Sequence, residues 1–150
     1  MAQAERRADV VWEGDLVGGS GTIDAVTSGA IGGLPVTWAA RTEDAGGKTS
    51  PEELIAAAHA ACYAMAFAHT LAQGDNPAAR LEVSANVGLD PKAGGGFEVT
   101  FSHLTVRGRV PGMDQAAFGA AAAKAEQGCP ISNALRNNVE ISVDAMLENA

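Results

Sequence analysis

The hydropathy pattern is dominated by one stretch: from Leu54 to Ala72 the chain carries no charged side chain, and nine alanines lie between Glu53 and Asp75. No solvated face is left over about five turns, so the pattern predicts a helix buried nearly all round. Its start is marked by Ser50 as a cap, Pro51 at the first helical position, and Glu52 and Glu53 at the positive end of the dipole. The helix should run from about Thr49 to Gln73, with Cys62 at its middle and His59, Met65 and Ala66 on the same face. Its length also fits a membrane span. Alanine, however, contributes little transfer energy, and His59, His69 and Thr70 weaken that case, so a core helix is expected. A helix of roughly 35 Å is more than a chain of this size can wrap on every side. A homodimer is expected to supply the missing cover.

Before this helix the pattern changes to short β-type runs separated by glycine. ADVVWEGD, TIDAVTS and LPVTWAA, broken at Gly18 to Gly21 and at Gly32-Gly33, predict a three-stranded meander whose first two strands form a hairpin. The meander ends in Arg41, and TEDAGGK leads on as a loop. After the helix, Gly74-Asp75-Asn76-Pro77 breaks the pattern. LEVSANVGLD and GFEVTFSHLTVRGRV then predict a long hairpin turning between Pro91 and Gly96. Phe97, Val99 and Phe101 alternate with polar residues, which predicts that they line the buried face, and His103 reads as an ordinary strand histidine. Pro111-Gly112-Met113-Asp114 should cap a second helix from about Gln115 to Gln127 anchored by Phe118. Cys129-Pro130 should open a further helical turn with Cys129 in the cap position. VEISVDAML, with Val139, Ile141 and Val143 in alternation, should close the sheet.

Composition narrows the classes. At 150 residues, 47% apolar and 19% charged, the chain fits one globular domain spanning residues 1–150. A net charge of −8 with ten scattered basic residues disfavours nucleic acid and anionic membranes as partners. The opening MAQAERRADVVWEGD lacks the apolar core of a signal peptide, which makes the cytoplasm the expected compartment. There, two cysteines point to reactivity rather than to a structural disulfide. There are no repeats and no phosphate-binding glycine motif.

Cysteine reactivity needs the thiolate, and burial alone raises a thiol pKa. Cys62 lies about ten residues into its helix, beyond the reach of the dipole. A reactive Cys62 therefore needs a nearby cation, for which Arg41 is best placed. Arg41 could equally be a surface charge, and Cys62 a small buried hydrophobe. Cys129 differs, because a helix start offers backbone N–H donors without any partner. A Cys62–His59 dyad is disfavoured, since side chains three residues apart on a helix stack rather than aim at each other. A metal site from His59, Cys62 and Cys129 lacks the paired ligand spacing of such centres.

PEELIAAAHAACYAMAFAHTL, the later GCPIS, and the opening VWEGD with GSGT resemble the osmotically inducible protein C family, relatives of the organic hydroperoxide resistance proteins. The resemblance covers nearly the whole chain. It implies an α+β fold with antiparallel sheets wrapped around a long buried central helix, assembled as an intertwined homodimer. It also implies a thiol-dependent peroxidase in which Cys62 is the peroxidatic cysteine, Cys129 the resolving one, and Glu52 the acid that orients an arginine. In the osmotically inducible branch that arginine follows the third strand and matches Arg41. In the other branch it comes from the early hairpin, where this chain has only Gly18, Gly19, Ser20 and Gly21. No bound cofactor or metal is implied. The expected cycle runs through a sulfenic acid and a Cys62–Cys129 disulfide, reduced by an external dithiol such as a lipoyl group. Met65, Tyr63 and Phe67 around Cys62 suit organic hydroperoxides over hydrogen peroxide, in a response to oxidative or osmotic stress. The competing expectation is a ligand-binding or redox-sensing module without catalysis. Ten helical residues put Glu52 and Cys62 of one chain about 15 Å apart, so either Arg41 spans much of that gap or, the favoured expectation, the Glu52 serving each Cys62 comes from the partner chain across an antiparallel helix pair.

Overall fold

The computed structural model describes residues 1–148 of an α+β chain that divides into two compact units, Met1–Leu54 and Ile55 onward. Each unit carries one three-stranded sheet.

In the first unit, β1 (Ala8–Glu13), β2 (Ser20–Val26) and β3 (Leu34–Val36) form an antiparallel meander in sequence order, with β1 and β2 as the expected hairpin. The third apolar run departs from expectation. Only Leu34–Val36 is strand, and Thr37 caps a short helix α1 (Trp38–Thr42) by accepting from the Ala40 N–H at 3.1 Å. Trp and Thr favour strands on average, but an extended threonine with a free hydroxyl is also a helix cap, and here capping wins. Arg41 therefore sits in the last turn of a helix. α2 (Pro51–Gln73) begins as the sequence predicts, with Ser50 Oγ accepting from the Glu53 N–H at 3.2 Å.

In the second unit, β4 (Arg80–Pro91) and β5 (Phe97–Arg109) form the long hairpin. α3 (Gln115–Gly128) follows, capped by Asp114, whose side chain accepts from the Ala117 N–H. α4 (Pro130–Leu135) comes next, then β6 (Glu140–Leu147). The sheet is not wholly antiparallel, because β6 pairs parallel to β5. The α3–α4 segment supplies the crossover that a parallel pairing requires. Tyr63, Phe67 and Leu71 of α2 meet Leu104, Val106 and Phe118 in one core, and the Phe67 and Phe118 rings lie 5.0 Å apart. A Cβ at Gly108 would collide with the Phe118 ring, so the anchor of α3 can rest on β5 only over a glycine.

Two burial expectations are corrected. α2 is not covered all round within one chain: Ala57, Ala61, Met65, Ala68 and Ala72 are exposed along one side, Met65 by 68%. On β5 the buried residues are Ser102, Leu104, Val106 and Gly108 rather than the Phe97, Val99 and Phe101 series. A register shift pairs Gly88 with Phe101 and Leu89 with Val99, leaving Thr100 unpaired. One extra residue breaks the period of two. Phe101 consequently stacks on His103, and Phe97 is exposed.

Candidate active site

The two thiols meet at the start of α4. Cys129 is fully buried and caps this helix, its Sγ accepting from the Ser132 N–H at 3.5 Å. Cys62, half-buried on α2, lies close enough to the backbone N–H of Ile131 and to the Cys129 thiol for both to act on its pKa. Both cysteines are free. The first turn of α4 thus donates the Ser132 N–H to Cys129 and brings the Ile131 N–H near Cys62, a use of unpaired helix donors that favours negative charge on sulfur. Burial nevertheless pushes the Cys62 thiol above its ordinary range, the Ile131 N–H draws it back, and the Cys129 thiol adds to the upward push.

A buried polar network lies directly behind α4. His59 is fully buried, its Nδ1 2.6 Å from Ser102 Oγ and its Nε2 2.8 Å from Ser132 Oγ. A neutral imidazole donates from one nitrogen and accepts at the other, so two hydroxyls satisfy it completely. This leaves no ring nitrogen for a dyad with Cys62. Burial lowers the His59 pKa, and the Glu126 carboxylate opposes that shift. Glu126 is itself buried, with Oε1 accepting from Arg136 Nη2 at 2.7 Å and Oε2 from Gln127 Nε2 at 2.7 Å. Burial and the same carboxylate push the Tyr63 phenol far up, and its hydroxyl donates to Ala122 O at 3.0 Å.

Arg41 and Glu52 form the second constellation, in the first unit. Arg41 Nε donates to both carboxylate oxygens, at 3.2 and 3.1 Å, and Nη2 donates to Oε1 at 2.7 Å. This side-on, two-point pairing fixes the plane of the guanidinium. The Trp38 ring lies under the guanidinium with its centroid at 5.8 Å. The cation borders an apolar hollow of about 300 Å³ walled by Val10, Trp12, Leu16, Val36 and Trp38.

Of the four residues singled out from sequence, Cys62 and Cys129 are brought together in one unit, and Arg41 and Glu52 in the other. Ile131, Ser132, Ser102, Glu126 and Arg136 were not foreseen. The only available signal was a lone histidine three residues before a cysteine on an uncharged helix, a polar group that must find buried partners.

The family model described as OsmC-like protein matches residues 43–144. Peroxiredoxin OsmC of Escherichia coli (strain K12) is 37% identical over 144 residues, covering 96% of this chain and 97% of that protein. An organic hydroperoxide resistance protein of Xanthomonas axonopodis pv. citri (strain 306) is also 37% identical, over 103 residues, covering 65% of this chain and 67% of that protein. Among solved structures, an organic hydroperoxide resistance protein OsmC from Legionella pneumophila aligns with a TM-score of 0.71 at 25% identity, covering 97% of this chain and 99% of that one. With the paired cysteines in place and a family match over most of its length, the chain belongs to the OsmC family.

Proposed function

We propose that the protein is a cysteine-based peroxidase for organic hydroperoxides, acting as a cytoplasmic homodimer in the response to oxidative stress. The observation that carries this reading is the meeting of two free thiols at one helix start, with Cys129 accepting the Ser132 N–H and Cys62 beside the Ile131 N–H. The names of the relatives, a peroxiredoxin and an organic hydroperoxide resistance protein, support the same chemistry.

In the proposed cycle the Cys62 thiolate attacks the terminal peroxide oxygen. The O–O bond breaks heterolytically, sulfur is oxidised to the sulfenic acid, and the leaving alkoxide takes a proton to become an alcohol. The Cys129 sulfur then displaces hydroxide from Cys62 sulfenic acid, which leaves as water with the Cys129 proton, and the disulfide forms before oxidation can run on to sulfinic acid. An external dithiol, a small molecule or a lipoyl group, reduces the disulfide by two exchanges and leaves oxidised. Burial holds the Cys62 thiol up within one chain, so a cation must lower it during catalysis. We assign that role to Arg41, held in plane by Glu52, with the adjoining apolar hollow taking the organic part of the substrate.

Ala57, Ala61, Met65, Ala68 and Ala72 repeat at the spacing of a helix-packing seam, and the four alanines permit close approach. We propose that two α2 helices pack there in antiparallel fashion, so that Arg41 and Glu52 of one chain serve Cys62 of the other. One assay tests both levels. Hydroperoxide consumption with dithiothreitol should be abolished in Cys62→Ser and lowered by up to about a hundredfold in Glu52→Ala, and mixing the two variants should raise activity above either alone through a heterodimer. Consumption by wild type no faster than by Cys62→Ser would favour the reading of a ligand-binding or redox-sensing module without catalysis. Exchange of subunits without that rise would place Glu52 and Cys62 of each site in one chain.

A further inference from the structure

The thiols owe their donors to α4, and α4 is six residues long. A helix of that length does not hold itself; its place depends on its tethers. At its far end Arg136 donates to Glu126 and to Asn133. At its first turn, the turn that carries the Ile131 and Ser132 N–H groups, the polar side-chain tether is Ser132 Oγ on His59 Nε2. His59 is in turn anchored to β5 through Ser102. All three side chains are fully buried, and among the described residues no buried side-chain nitrogen or oxygen lacks a partner. An apolar trio could fill this space without any desolvation cost. What the polar trio adds is direction: a single orientation of α4 satisfies both ring nitrogens at once.

We propose that His59 is a positioning residue which, by bridging Ser102 of β5 and Ser132 of α4, holds the first turn of α4 at the distance where its N–H groups meet the Cys62 and Cys129 sulfurs. The inference deepens the thiol-peroxidase reading and draws its catalytic meaning from it. Without the bridge α4 pivots on its Arg136 end, the N–H···S contacts lengthen, and the thiolate at Cys62 loses a donor. Disulfide formation slows as well, because Cys129 sits at the end of the helix that has come loose.

Ser132→Ala removes only the hydroxyl and keeps the backbone N–H that caps Cys129, so it isolates the bridge. The reduced protein is alkylated at a fixed pH near neutrality, and disulfide formation is followed by mass spectrometry after a pulse of diamide. Loss of one hydrogen bond to a charged or buried group predicts a fall of about tenfold in the Cys62 alkylation rate and a similar slowing of the disulfide. Ser132→Thr, which keeps the hydroxyl, should restore both rates to near wild type. Phe118→Leu, a core change away from the bridge, should lower the melting temperature and leave both rates unchanged. Wild-type rates in Ser132→Ala would overturn the proposal. So would rates in Ser132→Thr as slow as in Ser132→Ala, or equal slowing in Phe118→Leu, which would reduce His59 to a stabilising core residue. Neither readout uses peroxide. A wild-type chain that forms the disulfide with diamide but consumes no hydroperoxide would remove the peroxidase reading and leave the positioning role standing.

Discussion

Among the described residues, two arginine–glutamate pairs are partly buried to the same degree, and they are built differently. In each the arginine side chain is 32% exposed and the glutamate 10%. Arg41 takes both oxygens of Glu52 side-on, so the carboxylate is spent on one partner and the guanidinium keeps its outer edge for something else. Glu126 is divided between Arg136 and Gln127, and its charge reaches inward to His59 and Tyr63. The first pair displays a cation beside an apolar hollow, and the second sends a negative potential into a core and ties down the end of a short helix. Residue type and burial are the same in both, so only the bonding pattern separates the pair proposed to serve the site from the pair that ties down α4.

The largest expected effect tests that division in turnover. Arg41→Ala should lower kcat/KM for an organic hydroperoxide by about a hundredfold, the scale for removing one group that stabilises charge at a reacting centre. Glu126→Ala, acting on α4 from its far end, should cost no more than about tenfold. A larger loss in Glu126→Ala would reverse the assignment. Stability should not follow that order. Denaturant unfolding should find Glu126→Ala destabilised by about 1–3 kcal/mol, because two donors lose their acceptor, and Arg41→Ala by a comparable amount, because the buried Glu52 carboxylate loses the guanidinium that satisfies it.

The smallest effect separates the two carboxylates by pH. The His59 pKa is depressed in the folded state, so the unfolded chain takes up the proton first as pH falls below about 6.5. Stability from this group is therefore complete above that pH, declines as pH drops toward the folded value, and changes no further below it. Glu126→Gln removes the charge that opposes the depression and should extend the decline to lower pH. Glu52→Gln should leave the decline unchanged. Urea midpoints between pH 4 and pH 8, with His59→Gln as the flat reference, measure it.

Legibility in the sequence followed the range of the interaction. Ser50, Asp114 and Cys129 cap the helices that the sequence assigned them, because a cap acts over two or three residues. Thr37 was missed because the same residues satisfy a strand pattern. The Phe97, Val99 and Phe101 face was misassigned because a bulge leaves no mark in one strand read alone. The contacts of His59 span 43 and 73 residues, and those of Glu126 reach across α4, so no local spacing announces them. The partnership of Arg41 with Glu52, eleven residues apart, was legible through family resemblance rather than through periodicity.

The parallel alignment of β6 also bears on how the chain comes together in time. β4 and β5 are joined by a short turn and can pair as soon as both exist, whereas β6 must wait for the whole crossover between Arg109 and Glu140. Closing so long a loop comes late in a folding reaction, and in synthesis from the N-terminus β6 is also the last strand to emerge. Cys129 rides in that crossover. This thiol, the more deeply buried of the two in the finished fold, thus belongs to the segment whose ends are the last to be fixed.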